Sequence, residues 1–380
     1  MKTASRIVSL FAAVALVANV ATTPAAASQS DRRKPLVQVA ILLDTSNSMD
    51  GLIEQAKSQL WKICNEFIKA KQEGVAPEVW VALYEYGNNG LSRDSGWIRQ
   101  VLPLTTDLDK ISEELFALRT NGGDEYCGWV IKRAVEDLVW NPAADVYKAI
   151  FIAGNEPFTQ GKVNYADSCK AAIAKGIIVN TIHCGPEAVG VNTKWKDGAE
   201  LADGKYMVID QNRAVVTIAA PQDKEIARLG AELNKTYLAY GAQGRAGLAR
   251  QAAQEANVAT LAPASGAPVQ RALAKASANY QNAGWDLVDA AKEKDFDVAK
   301  VKTEDLPEPM RKLNETERKA FVEKVAKERG ELQAKINQLN AEREKYVARQ
   351  MKAQSGGNTL DTAVISAIRE QGQKRNFQFE

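Results

Sequence analysis

The sequence predicts an α/β protein: a doubly wound, mostly parallel sheet with one antiparallel edge strand, followed by a C-terminal α-helical region. From Leu36 to about Pro221, short apolar runs rich in β-branched residues alternate with segments of helical periodicity, as in βαβ units whose strands are covered on both faces. Two of the runs are separated only by NNGLSRDSG, too short for a crossover helix, so they form an antiparallel hairpin at one end of the sheet. After Pro221 the β-branched runs stop and helical spacing takes over.

In chain order, Lys2 and Arg6 precede an apolar stretch from Ile7 to Val20, then Pro24 and Ala25-Ala26-Ala27. This is the pattern of a secretory signal peptide over residues 1–27. No cysteine follows the cut to take a lipid, and no later stretch is apolar enough to span a membrane. The expected location is the periplasm, with secretion as the alternative. Residues 35–221 hold the strands LVQVAILLD, EVWVALYEY, WIRQVLPLT, KAIFIAG, IIVNTIHCG and KYMVID. Helices are expected near Gly51 to Lys71, Leu108 to Leu118, Glu125 to Trp140, Tyr165 to Lys175 and Lys194 to Ala202.

Residues 222–257 carry Ile226, Leu229, Leu233, Tyr237 and Tyr240 at helical spacing, a helical extension suited to covering the sheet region. VATLAPASGAP, residues 258–268, has the composition of a linker. Over 269–353 a first helix leads through LPEP to a long one starting near Asn314, with Glu317 placed for a capping exchange. Val325, Leu332, Leu339 and Tyr346 recur every seven residues along it, but Arg329 and Arg343 interrupt the second row. Half a coiled-coil seam fits packing inside a helical hairpin or bundle, and it also allows self-association. The tail, residues 354–380, shows one short helical pattern and is expected to be loosely held.

Composition is ordinary for globular protein, with 45% hydrophobic and 25% charged residues over 380 positions. A formal charge of +2 nearly vanishes once Lys2 and Arg6 are removed, which argues against nucleic-acid and membrane-surface partners. Cys64, Cys127, Cys169 and Cys184 permit two disulfides in an exported chain, Cys169 with Cys184 being the first pairing to consider and buried free thiols the alternative.

The chemistry concentrates where the first strand ends. Asp44, Ser46 and Ser48 offer a carboxylate and two hydroxyls on alternate residues at the carboxyl end of the expected central strand, where open parallel sheets bind ligands. Oxygen-only donors suit Mg²⁺ or Mn²⁺, with Ca²⁺ as the larger alternative, and such ions keep positions open to a carboxylate from elsewhere. Asp44-Thr45-Ser46-Asn47-Ser48 resembles the DxSxS sequence of the von Willebrand factor type A domain, and the order of elements over Leu36 to Pro221 agrees with that family. The resemblance implies a metal-ion-dependent adhesion site and a protein partner that presents an acidic side chain.

Two loops depart from the family pattern. TNGGDEYCGW puts Asp124, with Glu125 beside it, where the family usually has a threonine, and Ala153-Gly154-Asn155-Glu156-Pro157 puts Gly154 where it usually has an aspartate. One carboxylate is lost and one gained. Asp124 is therefore expected to join Asp44, Ser46 and Ser48 at the ion or at a water bound to it, with Glu125, Asn155 and Glu156 in the outer shell. Alternatively Ser46 and Ser48 cap the first helix, Asp124 caps the helix from Glu125, and Gly122 and Gly123 serve only the turn.

His183 is the only histidine and reads as a packed strand-end residue, since zinc wants four ligands and a Cys-His catalytic pair wants approach from different directions. Trp61, Trp80, Trp129 and Trp140 read as core residues. No GxSxG, HExxH, phosphate loop or dinucleotide fingerprint occurs. The expected function is therefore non-enzymatic capture of a partner carboxylate through a divalent cation. A metal-free envelope assembly protein acting through its C-terminal helices is the alternative, and a hydrolase built on Asp44 and Asp124 lacks an obvious base.

Overall fold

The computed structural model describes residues 34–210, 217–261, 265–353 and 360–379, and the expected signal peptide lies outside them. Nine residues of β1 (Leu36–Asp44) form the centre of a six-stranded sheet. It pairs in parallel with β3 (Glu78–Tyr86) on one side and β5 (Tyr147–Gly154) on the other. β6 (Ile178–Cys184) and β7 (Tyr206–Ile209) continue the sheet in parallel, and β4 (Ile98–Thr105) closes the opposite edge antiparallel to β3. The order β4-β3-β1-β5-β6-β7 is the predicted doubly wound sheet with its antiparallel edge. Chain direction across the sheet switches at β1, so the open crevice lies at its carboxyl end.

Both faces are covered, which is why the strands read as continuous apolar runs. Under one face α1 (Asp50–Lys69) and α2 (Leu108–Ala117) bury Leu52, Trp61, Phe67, Ile111 and Leu115 against Val39, Leu83 and Phe151. Under the other, α3 (Cys127–Asp137), α4 (Tyr165–Ala174) and α6 (Trp195–Glu200) bury Val130, Ile131, Ala172 and Trp195 against Leu42, Tyr84 and Ile152. A short helix α5 (Glu187–Asn192), absent from the sequence reading, precedes α6. Trp61 is fully buried, whereas Trp80, Trp129 and Trp140 are only half-buried.

All four cysteines are buried free thiols. The Cys169–Cys184 pairing fails because the sheet lies between them: Cys169 on α4 belongs to the cluster under one face, while Cys184 on β6 points into the cluster under the other.

The helices on both sides of the expected linker share the core of the sheet region. Ile226 and Leu229 of α7 (Asp223–Asn234), Val258 of α8 (Gly244–Thr260), Val269 and Ala272 of α9 (Ala267–Lys275) and Ile336 of the long α11 (Glu315–Ala353) all join the cluster beneath α1 and α2. A smaller cluster holds α10 (Leu287–Ala290) and the first turns of α11 around Val298, Leu306 and Met310. The capping exchange at the start of α11 forms as expected, Asn314 N–H donating to Glu317 at 2.9 Å and Glu317 N–H to Asn314 Oδ1 at 3.0 Å. The arginines that interrupt the seam are buried within the chain. Arg329 pairs with Asp286 at 2.7 Å and Asp289 at 3.1 Å, and Arg343 with Asp223 at 2.6 Å.

The tail is docked, contrary to expectation. Val364, Ala367 and Ile368 of α12 (Leu360–Gln373) are buried, and β8 (Phe377–Phe379) pairs antiparallel with β2 (Ala70–Gln72). Three-residue strands carry too little pattern to be found by periodicity. Among the described residues no helix is long and apolar enough to cross a membrane.

Candidate functional site

Asp44 is the last residue of β1 and is fully buried. The chain then turns through a short 3₁₀ segment (Asn47–Met49) into α1. Ser46 N–H donates to Asp44 Oδ1 at 2.8 Å, and the hydroxyls of Ser46 and Ser48 stand 3.2 Å apart. Neither hydroxyl caps a helix: the turn preceding α1 makes no side-chain capping bond, and Met49 is the residue at the head of α1. From the end of β5, Asn155 Nδ2 donates to Ser48 Oγ at 3.1 Å. Asp44, Ser46, Ser48 and Asn155 thus form one polar cluster at the switch point.

The loop between α2 and α3 reaches the cluster in a way the sequence reading inverted. α3 begins at Cys127 with Tyr126 at its head, so Asp124 caps nothing. Asp124 is exposed and faces outward, its Oδ2 accepting from the Tyr126 hydroxyl at 3.0 Å and the Trp97 indole at 3.4 Å. Glu125 is buried and faces inward. A Cβ placed on Gly87 would stand 2.8 Å from Glu125 Cγ and 2.9 Å from Asp44 Oδ1, so the missing side chain at Gly87, whose φ is +80°, is the gap across which the Glu125 side chain faces the Asp44 carboxyl. Adjacent acidic residues on an extended turn project to opposite sides, and the pair Asp124-Glu125 was the signal in the sequence that one of them points in.

Burial pushes the Asp44 carboxyl up to about 7, against the pull of the Ser46 amide and hydroxyl, with Glu156 adding to the rise and the Asn155 amide tempering it. Glu125 is pushed up to about 8 by burial, then by the nearby Asp44 and Glu156. Asp44 Oδ2 is buried and makes no hydrogen bond. A buried carboxylate oxygen without a donor is costly, and here the other oxygen of the same carboxyl faces Glu125 across Gly87, with the Ser46 and Ser48 hydroxyls in the turn that follows. That is the donor set of a hard divalent cation, and the residues present fit one.

The departure at Gly154 has a steric cause. Tyr86, opposite Asp44 in the β1–β3 register, donates its hydroxyl to Ala153 O at 2.9 Å, and a Cβ at Gly154 would lie 2.5 Å from that hydroxyl and 3.0 Å from Asp44 Oδ2. Tyr86 fills the space an aspartate would need, and sequence patterning gives no hint of it.

Strand order, the antiparallel edge and DxSxS at the exit of the central strand coincide. The sheet region has a von Willebrand factor type A-like fold. No family profile matches the chain, and no curated protein matches it. Among solved structures, the chain is similar to BatB from Bacteroides thetaiotaomicron, at 20% identity and a TM-score of 0.35 over 46% of this chain and 90% of that one. It is similar to the SpRpn10 VWA domain at 18% identity and a TM-score of 0.34, over 46% and 88% of the two chains. Proximal thread matrix protein 1 from the mussel byssus, described with a zinc occupied MIDAS motif, matches at 10% identity and a TM-score of 0.33 over 46% of this chain and 42% of that one.

His183, at the end of β6, is buried against Trp195 with ring centroids 5.7 Å apart. Burial lowers its pKa. Among the described residues no three His, Cys, Asp or Glu side chains converge as a metal-binding group.

Proposed function

We propose that the type A region is an exported protein-binding module that captures an acidic side chain of its partner through a divalent cation, Mg²⁺ or Mn²⁺ in the first instance. Asp44, Ser46 and Ser48 would hold the ion, and Glu125 takes the carboxylate place that the sequence suggested for Asp124. Asn155, bonded to Ser48, and Glu156 serve as outer supports. The bound ion would supply an electrostatic anchor, with positions left open for a guest carboxylate. The observation that carries this reading is the buried Asp44 carboxyl, with one oxygen unpartnered and the other facing the Glu125 side chain across Gly87. The periplasm remains the proposed location.

Calorimetric titration of Mn²⁺ and Mg²⁺ into wild type, D44A and E125Q tests the ion, and capture of partners from envelope extract with Mg²⁺ or with EDTA tests the partner. Ion binding lost in both variants and EDTA-sensitive capture are expected. Binding unchanged in D44A, or capture indifferent to EDTA, would shift the function to the C-terminal helices.

A further inference from the structure

The loop from Arg119 to Tyr126 is fastened to the β3–β4 hairpin loop at several points. Asn88 Nδ2 donates to Arg119 O at 2.8 Å, Asn89 N–H to Gly122 O at 2.7 Å, and the Trp97 indole and Tyr126 hydroxyl both donate to the same oxygen of Asp124. Trp97 stands at a φ of +56°, a conformation that bulky residues seldom adopt without compensation. Beside it lies a block of rings: Tyr126 stacks on Trp129 with centroids 6.2 Å apart and planes 10° from parallel, Gly96 (φ +72°) lies against the Trp129 ring, and Lys162 sits 4.5 Å from the ring centroid on that same indole. On the next residue, Glu125 N–H donates to Gln160 Oε1 at 2.7 Å. With the Asp124 side chain held outside and the Glu125 amide held by Gln160, the Glu125 side chain is directed across Gly87.

We propose that Asp124 is a positioning residue, clamped by Trp97 and Tyr126 so that Glu125 faces Asp44. The proposal rests on the ion-binding reading above and assigns Asp124 an acceptor's role in which its charge is dispensable. Both donors are neutral and need only an oxygen.

The probe is Mn²⁺ alone, titrated into the purified protein, with the unfolding midpoint in EDTA as a folding control. W97F/Y126F leaves every carboxylate in place, yet is expected to bind Mn²⁺ about 10- to 100-fold more weakly, the usual consequence of removing an outer-shell support. D124A is expected to match it, and D124N, which keeps an acceptor oxygen, to stay close to wild type. Equal losses in D124N and D124A with W97F/Y126F unaffected would make Asp124 an ion ligand and overturn the proposal. A crystal structure of ion-free W97F/Y126F decides independently of the ion. Glu125 withdrawn from Gly87 is expected, and Glu125 still seated beside Asp44 refutes the clamp. Should wild type take up no Mn²⁺, the ion-binding reading falls, and the crystal comparison still decides the role of Asp124.

Discussion

Asp44 and Glu125 meet across Gly87 with their carboxyls raised to about 7 and about 8, whereas an unfolded chain titrates such groups near 4. The folded state therefore holds more protons between these values, and the sign follows: stability is fully present below about pH 4 and is lost as pH rises through about 7 to 8. Thermal unfolding in EDTA is expected to show a falling midpoint from pH 5 to pH 8, and D44N/E125Q should flatten the profile. Mg²⁺ at pH 8 should restore the midpoint and release protons on binding. Gly87→Ala forces a side chain into a left-handed backbone and between the two carboxyls, so a loss of more than about 1 kcal/mol, read by denaturant unfolding, should accompany loss of ion binding. Restoring the family's aspartate with G154D should destabilise the fold rather than tighten the site, because Tyr86 occupies the space. Unfolding and Mn²⁺ titration of G154D beside G154D/Y86F would check this. Asp44, Ser46 and Ser48 were legible because oxygen side chains interrupted an apolar strand. That Glu125 rather than Asp124 points inward was not, because it depends on Trp97 and Gly87, which lie some 30 residues away in the chain, on another loop.

At the scale of elements, β1, β3, β5 and β6 were legible as buried strands, and the C-terminal region was legible as helical but not in what it packs against, because those partners are distant in sequence. On α11 the arginines looked like defects in a hydrophobic seam. Instead Arg329 reaches Asp286 and Asp289 on the α10 turn and lies 4.1 Å from the Tyr237 ring centroid, and Arg343 reaches Asp223 on α7. Arg271 of α9, also fully buried, binds Asp109 on α2 at 2.6 Å and stacks over Trp61 of α1. Removing one member of a buried pair strands the other charge, so R329A and R271A are each expected to lose about 3–5 kcal/mol by denaturant unfolding. R271M, which refills the volume but still strands Asp109, should recover little unless paired with D109L.

For the molecule as a whole, residues 258–268 had the composition of a linker, yet residues on both sides of them enter one hydrophobic cluster, from Val37 to Phe377. A single calorimetric transition is therefore expected. Deleting residues 354–380 should lower its midpoint, since Gln371 bonds to Tyr147 and Asn180 beneath the sheet and Ile368 is buried. The thiols offer a way to watch that transition. Cys64 and Cys184 lie under one face of the sheet, Cys127 and Cys169 under the other, and burial raises the pKa of each, so the folded chain presents almost no thiolate. Each sulfur becomes chemically alive only when its own layer opens. Pulsed alkylation followed by mass mapping would time the two layers separately, without any engineered cysteine.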